Sequence, residues 1–162
     1  MSDTQVPSWT NVLEQRPTFV TNLECGLSGE EVASDRLHGL SSVGRPFLVR
    51  YNLPALAKSL DKETLAARPP DMWRYREFLP VRETANIVSL GECMTPLMPA
   101  PGVSGDLWIK DEGRLPTGSF KARGLCLAVS MAKELGVTRM AMPTNGNAGA
   151  AMAAYCRSAG IE

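Results

Sequence analysis

The sequence holds one histidine, His38, in 162 residues. A multi-histidine metal centre is therefore excluded, and any Ser-His-Asp triad would have to rest on that one residue. Cysteine is scarce as well. Cys25, Cys93, Cys126 and Cys156 stand far apart, with no pair at metal-ligand spacing and no disulfide-rich scaffold. Net charge is missing, because 17 basic residues balance 17 acidic ones and no block of like charge occurs. That removes the electrostatic footprint expected of nucleic-acid binding or of docking on an anionic membrane. No apolar run reaches the roughly 18 residues that a spanning helix requires. The start, Met1-Ser2-Asp3-Thr4-Gln5, has an acid and no apolar stretch where a signal peptide needs one. The expectation is a cytoplasmic protein with neither nucleic acid nor membrane as partner.

What is present is ordinary globular material. Apolar residues make up 44% of the chain, enough for a core, and the length suits one domain or a small domain with part of another. Residues 1–18 read as an irregular lead-in. Phe19–Leu23 and Phe47–Tyr51 read as strands by their β-branched and aromatic content. Ser28-Gly29-Glu30-Glu31 has capping-box spacing, which allows a short helix over 29–37. Residues 52–68 read as helical, with Asp61 as an internal restart, and Pro69-Pro70 ends them. Asp71 then caps a short helix that carries Met72, Trp73, Tyr75 and Phe78 as core. Residues 81–106 are loop with short extended pieces. From residue 107 the pattern becomes strand, helix, strand, helix: 107–110, 119–135, 139–142 and about 147–159. Such a unit implies a parallel sheet with a right-handed crossover.

The stretch that organises the rest is Pro116-Thr117-Gly118-Ser119-Phe120-Lys121-Ala122-Arg123-Gly124. Pro116 and Gly118 break the chain, and Ser119 or Thr117 can cap the helix that follows. Leu125, Ala128, Val129, Ala132 and Leu135 give that helix an apolar face, and Gly136 suits a left-handed stop. Lys121 thus falls in the first turn, where the helix dipole disfavours a cation by about 0.3–1 kcal/mol. That field favours the neutral amine needed for Schiff-base chemistry. The bland alternative is a solvated lysine whose long stem reaches away from the dipole.

The neighbouring residues resemble the cofactor-lysine motif of the pyridoxal-phosphate enzymes of the tryptophan synthase β-subunit type, and within them most resemble threonine synthases. Ser89-Leu90-Gly91-Glu92-Cys93-Met94-Thr95-Pro96-Leu97 is similar to the segment preceding that lysine. Trp108-Ile109-Lys110-Asp111-Glu112 is similar to the strand leading into it. Pro143-Thr144-Asn145-Gly146-Asn147-Ala148-Gly149 is similar to the asparagine loop. The four segments are collinear, and the resemblance runs from about Trp73 onward. It implies the N-terminal part of a fold type II α/β enzyme: an open parallel sheet with flanking helices, preceded by a degenerate, metal-free ribbon. The division expected is an N-terminal region, 1–85, and the first part of the catalytic domain, 86–162.

The resemblance also implies roles. Lys121 would hold pyridoxal 5'-phosphate and move protons. Phe120 would pack on the cofactor ring, and Asn147 would hydrogen-bond the ring hydroxyl. Ser119, Thr144, Asn145 and Gly146 would bind the substrate, the loop holding its α-carboxylate. Read from residues alone, that loop has glycines that admit an anion and a helix start that favours it, or it is simply a well-capped turn. It lacks the Gly-Lys-Ser/Thr ending of a nucleotide P-loop and the first glycine of Gly-x-Gly-x-x-Gly. Asp111 and Glu112 are adjacent, so on an extended segment they face opposite sides and make no carboxylate pair.

Three departures accompany the resemblance. Relatives often carry two Cys-x-x-Cys pairs in the ribbon; here Cys25 remains, Ser28 stands three residues on, and Leu40 and Val43 occupy the later pair. One thiolate, even with His38, is too few ligands for zinc. Relatives usually have glycine at Cys93, which would be strained if that position needs positive φ. The phosphate-gripping loop and the ring-nitrogen partner have no match. The activity implied is that of a lyase of threonine biosynthesis, converting O-phosphohomoserine and water to threonine and phosphate. The isolated 162 residues are expected to be inactive, and the full-length protein could form a homo-oligomer. Two alternatives stand beside this. One is a same-fold enzyme such as a serine/threonine dehydratase, a diaminopropionate ammonia-lyase or cysteate synthase. The other is a cofactor-less binding or regulatory remnant.

Overall fold

The computed structural model describes residues 18–162 apart from Val103, so the lead-in expected over 1–18 lies almost wholly outside the described residues. The described residues form two units, 18–69 with 73–85, and 70–72 with 86–162.

In the first unit, β1 (Val20–Cys25), β2 (Glu31–Val32) and β3 (Phe47–Tyr51) make an antiparallel sheet in the order β2-β1-β3. Leu23 faces Val32 on one side and Val49 on the other. Two tight turns close the sheet at one end. Gly29 donates its N–H to Cys25 O at 2.9 Å, and Gly44 donates to Ser41 O at 2.8 Å, with both glycines at φ 71°. No helix forms over 29–37, because residues 31 and 32 pair with β1 instead. Glu31, the acid of the expected capping box, pairs with Glu24 of β1, and the Glu30 carboxylate accepts from Ser42 N–H (2.8 Å) and Ser42 Oγ (2.6 Å) across the ribbon.

Leu40 and Val43 are exposed, whereas Ser41 is buried together with Cys25. Hydrogen bonding from Ser28 and Ser41 lowers the Cys25 thiol from its ordinary 9.0 to about 7. The positions that face one another are thus Cys25, Ser28 and Ser41. Among the described residues no cluster of three or more His, Cys, Asp or Glu could hold a metal ion.

The helical stretch after the ribbon divides where expected. Asn52 caps α1 (Leu53–Ser59) by accepting from Ala55 N–H, and Asp61 caps α2 (Lys62–Ala67) by accepting from Thr64 N–H at 2.6 Å. The 3-10 segment Met72–Phe78 follows. Trp73, Val81 and Leu56 are buried, and so is the Arg68–Glu77 pair, a bidentate contact at 2.7 and 2.8 Å.

In the second unit, β4 (Leu97–Pro99) pairs antiparallel with β5 (Trp108–Lys110), and α3 (Lys121–Glu134) packs on α4 (Asn147–Ala159). The buried face of α3 runs through Ala122, Cys126, Val129, Ser130 and Ala132. It is rotated from the expected face, for Leu125 is half-buried and Ala128 exposed. Gly136 stops α3 at φ 72°, with Val137 N–H reaching Ala132 O at 2.9 Å, the left-handed closure expected there.

The parallel sheet is not formed among the described residues. Residues 139–142 carry no strand ladder. There is one pair of bonds, Glu162 N–H to Thr138 O (3.0 Å) and Met140 N–H to Glu162 O (2.7 Å). Both backbone groups of Glu162 thereby bracket Arg139, which is the hydrogen-bond pattern of a parallel pair. No helix of the described residues is long and apolar enough to cross a membrane.

Candidate active site

Two loops and two helix starts build the site. The turn Pro116–Gly118 delivers the first, and it packs on both α3 and α4. Thr117 and Gly118 are both left-handed, at φ 62° and 72°. Thr117 is the one described non-glycine residue with positive φ, an outlier for a β-branched side chain. The chain then turns through Ser119 and Phe120 so that Lys121 opens α3. No side chain caps this helix. The Ser119 hydroxyl, expected as a cap, is buried with no hydrogen-bond partner, and Ala122 N–H is taken by Ser119 O instead. Phe120 is exposed, and Lys121 Nζ lies 4.8 Å from its ring centroid, within cation–π range.

The second loop leads into α4. Gly146, at φ 132°, stands at the helix start but has no side chain to cap it. Thr144 supplies the cap from two residues earlier, since its Oγ1 accepts from Gly146 N–H (3.1 Å) and Gly149 N–H (2.8 Å). Lys121 and residues 142–148 line one open cleft of about 630 Å³. Of the residues singled out from the sequence, the cleft gathers Lys121, Thr144, Asn145, Gly146 and Asn147. Phe120 and Ser119 lie outside its lining.

Behind Lys121 is a polar brace that the sequence did not disclose. Arg123 Nε and Nη2 donate to the two Glu112 oxygens at 2.7 and 3.0 Å, and Nη2 also reaches Cys93 O at 3.1 Å. Thr95 Oγ1 donates to Glu112 as well, and Lys110 Nζ reaches Thr95 O at 2.7 Å. Hydrogen bonding from Arg123 is the main reason that the Glu112 carboxyl falls from 4.5 to about 2. A second brace centres on two buried residues, Glu92 and Tyr155. Glu92 accepts from Ser89 Oγ (2.6 Å), from Leu90 N–H (2.9 Å) and from the Tyr155 hydroxyl. Burial opposes its charge, but these donors hold its pKa below the ordinary value, while burial and the carboxylate raise that of Tyr155. Cys93 takes none of the strain considered for it; the left-handed residue in this segment is Gly91, at φ 94°. These acids were legible only as charges, because their partners lie 11 and 63 residues away.

The donor set suits a flat anionic cofactor with a carbonyl group. It combines a primary amine at the cleft with a helix start whose Asn147 and Ala148 amides lack an intrahelical acceptor.

Part of the chain is similar in sequence to known proteins. Residues 88–162 match the family described as pyridoxal-phosphate dependent enzyme. The chain is 38% identical over 115 residues to the threonine synthase of Methanocaldococcus jannaschii, covering 68% of this chain and 28% of that protein. It is 43% identical over 94 residues to the threonine synthase of a Synechocystis species, covering 54% and 25%. A 2-amino-4-ketopentanoate thiolase beta subunit of Acetoanaerobium sticklandii is 42% identical over 83 residues, covering 51% and 17%. The chain thus spans about a quarter of the length of the two threonine synthases. Residues 88–162 thus match the pyridoxal-phosphate dependent enzyme family, the chain is threonine synthase-like in sequence, and pyridoxal phosphate is that family's cofactor.

Proposed function

We propose that the full-length protein is a threonine synthase, a lyase that converts O-phosphohomoserine and water to threonine and phosphate. The observation that carries this reading is the shared cleft of Lys121 and the 142–148 loop. Two segments some twenty residues apart, each resembling a motif of the same enzymes, meet on one ligand-sized space. Lys121 would hold the cofactor, with Asn147 at its ring hydroxyl and Phe120 beside it. The loop at Thr144–Ala148 would hold the substrate's α-carboxylate against the start of α4. Pyridoxal phosphate, when bound, supplies an electron sink for charge developing next to the amino-acid nitrogen. Lys121 Nζ then takes and returns protons as general base and acid. The Arg123–Glu112 brace fixes the first turn that carries it, and geometry of this kind governs proton-transfer rates.

The likeness to the thiolase beta subunit supports a second reading, in which the same cleft serves another amino-acid substrate. The deciding experiment loads the full-length protein with pyridoxal phosphate and supplies O-phosphohomoserine, serine or threonine. Phosphate and threonine released from the first substrate support the proposal. Oxo-acid and ammonia from serine or threonine, with no phosphate released from phosphohomoserine, overturn it.

A further inference from the structure

Gly149 lies in the first turn of α4, where glycine is a poor helix former and any small residue would serve as well. Its backbone is not left-handed, so conformational freedom does not account for it. Space does. A Cβ built on Gly149 would lie 2.5 Å from Thr144 Cγ2, 3.2 Å from Thr144 Oγ1 and 3.3 Å from Thr144 Cβ. The first distance is impossible without movement; the other two call for a shift of a few tenths of an ångström. Thr144 cannot simply rotate away, because its Oγ1 is the shared acceptor of Gly146 N–H and Gly149 N–H. Rotation would leave both amides without that acceptor and release the turn at Gly146.

We propose that Thr144 and Gly149 are a matched positioning pair: the threonine fixes the loop by accepting from two amides, and residue 149 is glycine to admit its methyl group. This rests on the proposed function, because the loop being fixed is the one assigned to the substrate carboxylate. It also changes the role of one residue in it. Thr144 acts through the loop rather than as a primary ligand, and the amides it occupies, those of Gly146 and Gly149, are not the carboxylate's donors. Asn145, Asn147 and Ala148 are left to face Lys121 across the cleft.

The test is a set of variants of the full-length protein. Gly149→Ala forces the methyl contact, and Thr144→Val keeps the branched shape but removes the acceptor. Both are expected to raise KM for the amino-acid substrate at least about tenfold with a smaller change in kcat, the pattern of lost binding that the ground state and the transition state share. Adding Thr144→Ser to Gly149→Ala removes the offending Cγ2 and keeps an oxygen, so the double variant should recover most of the lost affinity. Thermal melting without cofactor reads the contact independently of the reaction: Gly149→Ala should lower Tm, and the double variant should restore it. A Gly149→Ala variant with unchanged KM and Tm, or a double variant no better than the single, overturns the pairing. If melting shows the rescue but the wild-type protein neither binds pyridoxal phosphate nor turns over, the pair stands and the functional reading fails.

Discussion

Arg123 and Glu112 meet through two parallel hydrogen bonds, at 2.7 and 3.0 Å, two residues beyond the lysine that faces the cleft. The pair is only partly exposed, with side-chain accessibilities of 30% and 24%. It joins the segment after β5 to the first turn of α3, and through Cys93 O and Thr95 it joins both to the loop before β4.

The pair carries a pH dependence of definite sign. In the folded protein Glu112 sits at about 2 rather than 4.5, chiefly through Arg123. A depressed carboxyl contributes its stability in full above the unfolded value and loses it as pH falls toward the folded one. Glu112→Gln should therefore flatten the stability loss between pH 4.5 and about 2. Near neutral pH, Arg123→Ala should cost about 2 kcal/mol, the scale of a charged hydrogen bond lost from a partly buried site. Denaturant titrations at stepped pH measure both effects.

Lys121→Ala should abolish turnover and the reducible cofactor adduct in the full-length protein. Removing a cation from a helix start should change stability by no more than about 1 kcal/mol, and in the favourable direction. Borohydride reduction followed by peptide mapping checks the first expectation, and thermal melting checks the second. An adduct that persists at another lysine would remove Lys121 from its assigned role.

Tyr155→Phe should destabilise by about 2 kcal/mol, because it leaves the buried Glu92 carboxylate short of a donor. Both residues are fully buried, so solvent does not replace the lost bond. The variant should unfold at lower denaturant with an unchanged slope; a changed slope would mean that the native state itself has loosened.

Thr117→Gly should leave stability unchanged or raise it by up to about 1 kcal/mol, since it relieves a left-handed β-branched residue at the cost of some chain entropy. Gly118→Ala, next to it at φ 72°, should do the opposite. Comparing the two melts tests whether the turn before Lys121 holds strain at residue 117.

The ribbon should retain no stoichiometric zinc after dialysis, and a chelator should leave its melting unchanged. The facing positions offer one thiol and two hydroxyls, those of Cys25, Ser28 and Ser41, and zinc needs more thiolate or imidazole than that. One equivalent of zinc by elemental analysis would contradict the expectation.

The sequence by itself determined what depends on near neighbours. Pro116, Gly118 and Gly136 bound α3, Asp61 restarts a helix after α1, and the Gly146-Asn147 step opens α4, because turns and caps are settled within a few residues. The lysine segment and the asparagine loop were legible for the same reason, each being a continuous string. Tertiary structure decided what depends on distant partners. Residues 31 and 32 became a strand because β1 offered them an edge, and residues 139–142, expected as a strand from the strand-helix alternation, have no ladder. The face of α3 turned toward Cys126 and Ser130, which bond the backbone of Val88. Glu112 and Glu92 became braces because Arg123 and Tyr155 reach them across 11 and 63 residues. A strand exists only where a second strand pairs with it, and a buried charge persists only where donors meet it. Neither condition is written in the local string.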